Sequence, residues 1–414
     1  MRNGLSNTSL IKPPCLTRLV GQSLCLLGFA FCNQAFGAND SVAENLTSSE
    51  LAVSSSLPVP QVDAKAWILY EYNSGRVVAG LNGDLVYPPA SITKLMTNYV
   101  VYGALQTGAI SLTDQVTISE KSWRAEGSRM FAKVGSKVEL QHLLKSTVIQ
   151  SGNDAAIALA EHVAGSELAF AQRMNQAAAK LDLRHSRFVN STGLPDPEHT
   201  MSAHDIATLS AAIIREYPDF YRWYSKKEYT HNEITQYNRN KLLWKDSTVD
   251  GLKTGHTNAA GYCLVGSALR GGDRWIAVVL GSSNERTREE AVSTLLNFAY
   301  AAYKPVRLLD QQRGLATAKV YFGVVDEVLL QAESQRDVVV PRGREGDVVV
   351  DLQYNPYYEA PIAVGQAMGV ARLSLDGKSL AEVPIIAMST INTSGLWKRV
   401  TDSVRLKWRE SRQK

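Results

Sequence analysis

The chain has 414 residues, of which 45% are hydrophobic and 20% charged, with a formal net charge of +4. That apolar content excludes disorder of the whole, and the length exceeds what one core normally serves, so two domains are expected. The charge is uneven: +3 without a single acid over residues 1–38 and +5 over 396–414, which leaves the body at −4. A basic end on a mildly acidic body points to an anionic surface as the partner of the tail, not to nucleic-acid binding by the domains.

In chain order, Arg2, Lys12 and Arg18 lead into the apolar run "LVGQSLCLLGFAF" and the small residues of "NQAFGA". Residues 1–38 therefore read as an export signal cleaved near Gly37 or Ala38, too short in its apolar part for a transmembrane span. Phe31 ahead of Cys32 argues against a lipoprotein cleavage box. Removal of this segment takes Cys15, Cys25 and Cys32 with it and leaves Cys263 as the sole thiol, so no internal disulfide is expected. Cys263, in "GYCLVGSAL", reads as buried and inert. Residues 39–60 are Ser-rich and weakly apolar, as suits a linker.

"AWILYEY" and "RVVAGLN", separated by "NSG", predict a β-hairpin. Helical spacing follows from Ser91 to about Gly103 and in "LQHLLKSTVIQ", "DAAIALAEHVAG" and "ELAFAQRMNQAAAKL". "SAHDIATLSAAIIREYP" opens with a capping-box pattern, Ser202 to Asp205. Strands return in "LKTGHT", "GYCLVGSAL" and "RWIAVVLG", with "RGGD" as a turn, and "ERTREEAVSTLLNFAYAAY" predicts a last helix. The order gives an α/β fold over residues 61–304, in which an antiparallel sheet gathers strands from both ends of the domain between helical layers. Lys304-Pro305 marks a boundary. Beyond it, short strand runs with turns such as "DGK" predict a smaller all-β sandwich or barrel over 305–392, followed by a tail helix over 393–414.

Three short motifs carry chemistry. Pro88 and Pro89 introduce a helix with Ser91 in its first turn, where the positive end of the peptide dipole favours an alkoxide, and Lys94 lies three residues on along the same face. A lysine partly desolvated by "LMTNYVV" can lose its proton near neutral pH and accept that of the serine. In "QSGNDAA", the Ser151 hydroxyl can relay a proton and the Asn153 amide can hold a lysine and a substrate carbonyl. In "VDGLKTGHT", Lys253 and Thr254 offer a cation and a hydroxyl to a carboxylate, and Gly255 leaves room for a peptide added beside the strand. His256 follows directly, placed to act through its backbone. Each motif alone is weak, and a surface ion pair, a capping loop or a strand end explains it as well. Ser-x-x-Lys, Ser-x-Asn and Lys-Thr-Gly in this order, with 60 and 102 residues between them, form the signature of penicillin-recognising serine acyl enzymes.

Across about residues 60–390 the sequence resembles the low-molecular-mass penicillin-binding proteins, the D-alanyl-D-alanine carboxypeptidases of the S11 peptidase type, in "ASITKLMT", "IQSGNDA", "NRNKLLW" and "VDGLKTGHT". The resemblance implies a transpeptidase-like domain, a β-rich domain and an amphipathic C-terminal anchor. It implies Ser91 as acylated nucleophile, Lys94 as its base, and Ser151 and Asn153 as the second-motif pair. Lys253 and Thr254 would meet the substrate carboxylate, Arg239 of "NRN" would help orient it, and the backbone N–H groups of Ser91 and His256 would form the oxyanion hole. The implied substrate is the peptidoglycan stem pentapeptide, with β-lactam antibiotics entering the same path and no metal or other cofactor. The implied location is the periplasmic face of the cytoplasmic membrane, with the enzyme held there peripherally.

A class A β-lactamase needs a glutamate in an E-x-x-x-N pattern soon after the second motif. Glu228 to Asn232 offers one, but much too late in the order. A D,D-endopeptidase is the nearer alternative, although such relatives usually lack the β domain and anchor. A noncatalytic wall-binding scaffold would be free to lose Ser91, Lys94 and Lys253. The seven histidines include no H-E-x-x-H metal motif; His199 and His204 read as a loop residue and a first-turn residue. In the tail, Leu396, Trp397, Val400, Val404 and Trp408 fall on one helical stripe among Lys and Arg, the composition of a helix lying in an anionic membrane interface, or else of one packed on its own protein.

Overall fold

The strand Ala66–Glu71 is buried along its whole length, so both of its faces must be covered. Ile68 and Tyr70 point into one core and Trp67 and Leu69 into another, the period-two division that a pleated strand imposes. Burial on both faces explains why "AWILYE" is nearly continuous in apolar residues and does not alternate with polar ones. These observations come from a computed structural model that describes residues 57–311 and 313–413. The expected export signal, its three cysteines and most of the linker lie outside the described residues.

The strand pairs with Arg76–Leu81 as the expected hairpin and, on its other side, with Asp273–Ser282. The sheet continues through Gly261–Arg270 to the edge strand Val249–Thr257, five strands in all and antiparallel throughout. The helices Lys94–Gln106, Leu140–Ile149, Asn153–Ala164 and Ala203–Glu216 cover one face and Glu285–Ala302 the other. Val292, Leu295 and Leu296 of that last helix are fully buried. Each such side chain removed from water contributes about 1.5–3 kcal/mol. Asn284 opens the helix with a reciprocal capping box to Thr287. The box expected at Ser202 is only half formed. Ser202 Oγ accepts from Asp205 N at 3.1 Å, but the Asp205 carboxylate turns away to accept from His185 N at 2.8 Å and Ser186 Oγ at 2.7 Å.

Below the edge strand, Asp250 accepts two hydrogen bonds from Arg274, at 2.8 and 2.7 Å, and one from Tyr221 Oη at 2.5 Å. Arg274 also donates to Ser267 Oγ at 2.6 Å. Removing the carboxylate leaves a largely buried guanidinium without its counter-charge. Asp250→Ala is accordingly expected to lower the unfolding free energy by about 3 kcal/mol, seen as an earlier urea midpoint at unchanged slope; an unshifted midpoint would show the pair to be neutral.

The helix Glu285–Ala302 runs straight into the strand Tyr303–Leu309, which the Lys304-Pro305 boundary had concealed. Its partner is Arg336–Pro341, in a two-stranded ladder, where a proline lacking N–H is tolerated on an edge. The other described strands after Leu309 form one six-stranded sheet around its own core of Val320, Leu330, Leu373 and Ile385. Asp376 and Gly377, at φ 53° and 74°, make the tight "DGK" turn of its longest hairpin.

The tail helix Leu396–Gln413 meets this sheet through its polar side. Asp402, buried, accepts from Phe322 N at 2.9 Å, and Lys398 pairs with Asp326 at 2.6 Å. Leu396, Trp397, Val400, Val404 and Trp408 remain exposed on the outside. The helix thus packs on its own protein through its polar side, one of the two expectations for the tail. Among the described residues no helix is long and apolar enough to cross a membrane.

Candidate active site

Ser91 sits in the 3-10 turn Ala90–Thr93, and Lys94 begins the α-helix that follows. The turn is tighter than the α-helical start expected, and at three residues per turn it brings positions i and i+3 into line. Lys94 Nζ lies 3.0 Å from Ser91 Oγ. It also donates to Asn153 Oδ1 at 2.6 Å and to the Thr192 carbonyl at 2.8 Å, so its ammonium position is held from three sides. The side chain is fully buried, and desolvation brings its pKa down to about 7 against the opposing charge of Asp154.

The turn is strained and pinned. Ala90 has φ 48°, the left-handed region that a residue with a Cβ rarely adopts. Its carbonyl accepts from Thr93 Oγ1 at 2.8 Å, and Thr93 Oγ1 lies 2.7 Å from His199 Nε2. His199 Nδ1 accepts from Val189 N at 3.2 Å, so Nε2 carries the proton and donates to Thr93. Burial holds this imidazole neutral, with a pKa of about 4. On the other side of the carbonyl stands Gly193, at φ 82°, where a Cβ would fall 1.8 Å from Ala90 O.

Ser151 and Gly152 link two helices, and Asn153 is the first residue of the second. Ser151 has φ 69° and is nearly enclosed, and its Oγ has no partner among the described residues. The Asn153 amide does two jobs: Oδ1 accepts from Lys94 while Nδ2 donates to the Glu126 carbonyl at 2.6 Å.

The edge strand Val249–Thr257 supplies the facing wall. Thr254, Gly255, His256 and Thr257 border a cleft of about 520 Å³ that Ser91, Ser151 and Asn153 also line. A Cβ on Gly255 would meet Pro89 O at 2.8 Å and Ala90 Cβ at 3.2 Å. The glycine therefore lets the strand touch the nucleophile turn, beyond the expected clearance for a ligand. His256 is exposed and its ring packs 4.1 Å from that of Tyr262. Arg239 borders the cleft and donates to Ser128 Oγ at 3.1 Å.

The Lys253 side chain is buried beside the cleft, with Nζ donating to the Thr254 carbonyl at 3.0 Å. Burial, with the neighbouring charges of Lys94, Arg239 and Arg288, pushes its pKa well down. The cation that does border the cleft from that side is Arg288, which the sequence reading missed. A signal existed: Arg288 occupies the same helical stripe as the buried Ala291, Val292 and Leu295. His199 had none, since nothing in "DPEHT" distinguishes a structural histidine from a loop residue. Glu228 of the E-x-x-x-N pattern is exposed on the hairpin Glu228–His231/Ile234–Tyr237 and does not border the cleft. Cys263 is buried, and burial pushes its thiol up to about 11, which makes it a poor nucleophile.

Known families match both parts of the chain. Residues 52–284 match the family model of the S11 peptidases, described as D-alanyl-D-alanine carboxypeptidase, and residues 303–393 match the penicillin-binding protein 5 C-terminal domain. The chain is 40% identical to D-alanyl-D-alanine carboxypeptidase DacC of Escherichia coli, over 87% of this chain and 92% of that protein. It is 37% identical to DacA of Haemophilus influenzae, over 83% and 89%. Penicillin binding protein 5 of Haemophilus influenzae superposes with a TM-score of 0.78 at 37% identity, covering 81% of this chain and 99% of that one. For penicillin binding protein 6B of Escherichia coli the values are 0.68, 34%, 80% and 96%. The chain belongs to the D-alanyl-D-alanine carboxypeptidases of the S11 serine peptidase family, the low-molecular-mass penicillin-binding proteins.

Proposed function

We propose that this chain removes the terminal D-alanine from peptidoglycan stem pentapeptides through an acyl-enzyme on Ser91, and that penicillins acylate the same hydroxyl. The observation that carries the reading is the contact of Ser91 Oγ with Lys94 Nζ at 3.0 Å, made by a buried lysine whose pKa lies near 7. A neutral Lys94 takes the serine proton as Oγ attacks the carbonyl carbon between the two D-alanines. The oxyanion that forms is held by the backbone N–H groups of Ser91 and His256, each such donor contributing about 3 kcal/mol. Collapse breaks the C–N bond, and the leaving amine takes its proton through the Ser151 hydroxyl. Water then attacks the ester, gives a proton to Lys94 and restores Ser91.

The free edge of Val249–Thr257 suits a peptide lying alongside as an added strand. The Thr254 hydroxyl, Arg239 and Arg288, with Lys253 beside them, are the groups that would receive the terminal carboxylate. Glu228 lies outside the cleft and offers no deacylating base of the β-lactamase kind, which favours slow release of penicillin. A D,D-endopeptidase activity would use the same residues on a cross-linked strand. D-alanine release from N-acylated D-Ala-D-Ala peptides tests the reading, together with covalent labelling by fluorescent penicillin. Absence of both would overturn it, as would a penicillin adduct found on any residue other than Ser91.

For the tail, the proposal is a peripheral anchor on the periplasmic face of the cytoplasmic membrane. Its exposed tryptophans and aliphatic residues would sit at headgroup depth and its cations on anionic lipid. A chain ending at Ser394 is expected to leave anionic vesicles in a flotation assay while still binding penicillin. Continued flotation of the shortened protein would move the anchor elsewhere.

A further inference from the structure

The Ala90 carbonyl and the Ser91 N–H belong to one planar amide, so whatever holds the first also aims the second. The Ser91 N–H has no acceptor among the described residues and is left for a ligand, whereas Ile92 N in the same turn donates to Pro89 O at 3.1 Å. Ala90, at φ 48°, has a backbone that an alanine disfavours. Released, it would rotate out of that region and swing the amide that carries the Ser91 N–H.

What opposes that rotation begins 106 residues further along the chain. Val189 N donates to His199 Nδ1 at 3.2 Å, His199 Nε2 donates to Thr93 Oγ1 at 2.7 Å, and Thr93 Oγ1 donates to Ala90 O at 2.8 Å. A group that accepts one hydrogen bond donates the next more strongly, so the series adds to the positive character of the Ser91 N–H at its far end. His199 is 2% exposed and Thr93 is fully buried, which keeps water from competing for either. The Phe188 ring stands edge-on to the imidazole, with 5.7 Å between ring centres, and restrains its plane. The same segment carries the Thr192 carbonyl that accepts from Lys94 at 2.8 Å, and Asn190 Oδ1 accepts from Thr192 N and Gly193 N at 3.1 and 2.7 Å. Residues 189–199 therefore set the proton acceptor and the oxyanion donor from one piece of chain.

We propose that His199 is a positioning residue for acyl transfer, which acts through Thr93 to aim and polarise the Ala90–Ser91 amide so that the Ser91 N–H meets the oxyanion. His199 itself does not border the cleft. Negative charge gathers on the substrate carbonyl oxygen only as Oγ attacks, so the benefit is confined to the transition state and leaves ground-state binding unchanged. The role rests on the acyl-transfer reading above and adds to it a residue outside the three motifs.

The test acylates the protein with benzylpenicillin isotope-labelled at its β-lactam carbonyl and reads the adduct by infrared difference spectroscopy, beside the kinetics of acylation. Stronger donors to a carbonyl oxygen lower its stretching frequency, so the ester band reports the oxyanion donors directly. His199→Leu and Thr93→Val are each expected to lower the maximal acylation rate about 10-fold, less than the loss of a whole donor. The dissociation constant of the noncovalent complex stays the same, and the ester band moves to higher frequency. His199→Gln, which keeps an N–H donor, recovers much of both, and the double variant His199→Leu/Thr93→Val is no worse than Thr93→Val alone. A wild-type rate and band in His199→Leu overturns the role. So does a slowed variant whose band has not moved, because the loss then comes from a loosened loop. If His199→Leu does not fold, Thr93→Val and His199→Gln decide together: a band raised in the first and near wild type in the second supports the role, and any other pattern overturns it. A wild-type protein that forms no adduct overturns the acyl-transfer reading and this role with it, whereas an adduct whose band no variant moves overturns this role alone.

Discussion

Ser91→Ala is expected to yield a folded protein that neither releases D-alanine nor forms a covalent penicillin adduct, because it removes the hydroxyl that lies 3.0 Å from the buried amine of Lys94. Lys94→Met, which keeps the apolar bulk and removes the base, is expected to slow acylation about 10³-fold. The pH dependence follows from the direction of the Lys94 shift. Burial lowers its pKa to about 7, so the neutral, proton-accepting form predominates above that pH and the inert ammonium below it. The acylation rate should therefore rise with pH, with its midpoint near 7. Asp154 opposes the effect of burial, since its negative charge favours the ammonium. Asp154→Asn should then move the midpoint to lower pH, whatever it does to the maximal rate. Stopped-flow acylation by a chromogenic cephalosporin between pH 5 and pH 9 reads all of this. A flat profile, or a midpoint that moves upward in Asp154→Asn, would remove Lys94 as the base.

Gly193→Ala is the second large effect expected, and it arises without touching a reacting atom. The added Cβ would fall 1.8 Å from the Ala90 carbonyl and 2.7 Å from Thr93 Oγ1, at a backbone φ of 82° that a side chain already disfavours. Nothing there is a flexible side-chain end that can simply swing aside. The nucleophile turn has to move, and a misplacement on the order of 1 Å costs about 10²-fold in rate. Acylation should therefore drop at least about 100-fold while circular dichroism and gel filtration stay native-like. Thr93→Ala tests the same carbonyl from its other side and should give a smaller loss that Thr93→Ser largely restores. Wild-type acylation by Gly193→Ala would show that the Ala90 turn tolerates displacement and that its pinning has no kinetic meaning.

These two experiments mark the line between what the sequence discloses and what only coordinates supply. The closeness of Ser91 and Lys94 was legible because three-residue spacing in a helical turn sets both side chains on one side, and only the later Ser-x-Asn and Lys-Thr-Gly narrowed its chemistry. The hairpin at Ala66–Glu71 and the strand series after Val249 were legible because their apolar runs end at clear turn residues. Ala90 gives no warning of its left-handed backbone, since glycine, asparagine and aspartate are the residues that commonly adopt one. His199 is far from Thr93 in the chain, and only folding brings them to 2.7 Å. Lys253 reads as a cation offered to a ligand, and its burial and bond to the Thr254 carbonyl were not foreseeable from the sequence. The alternation of a strand edge sets which residues share a face, not which face meets the cleft. Tyr303–Leu309 was missed because a proline after a helix normally signals a break, and here it enters an edge ladder.

The pairing of Trp67 with Val279 joins the two ends of the peptidase domain in one ladder. During synthesis, Ser91 and Lys94 emerge early, but the strand wall at Val249–Thr257 has no anchored neighbour until Asp273–Ser282 has arrived to bridge Ala66–Glu71 and Gly261–Arg270. Contacts this distant along the chain are late and slow to form. A nascent chain therefore holds a nucleophile with only one side of its cleft, and acyl transfer begins as a property of the completed fold. The cleft thus depends on contacts between segments about 210 residues apart, and a chain that has not closed the sheet has only one of its two walls.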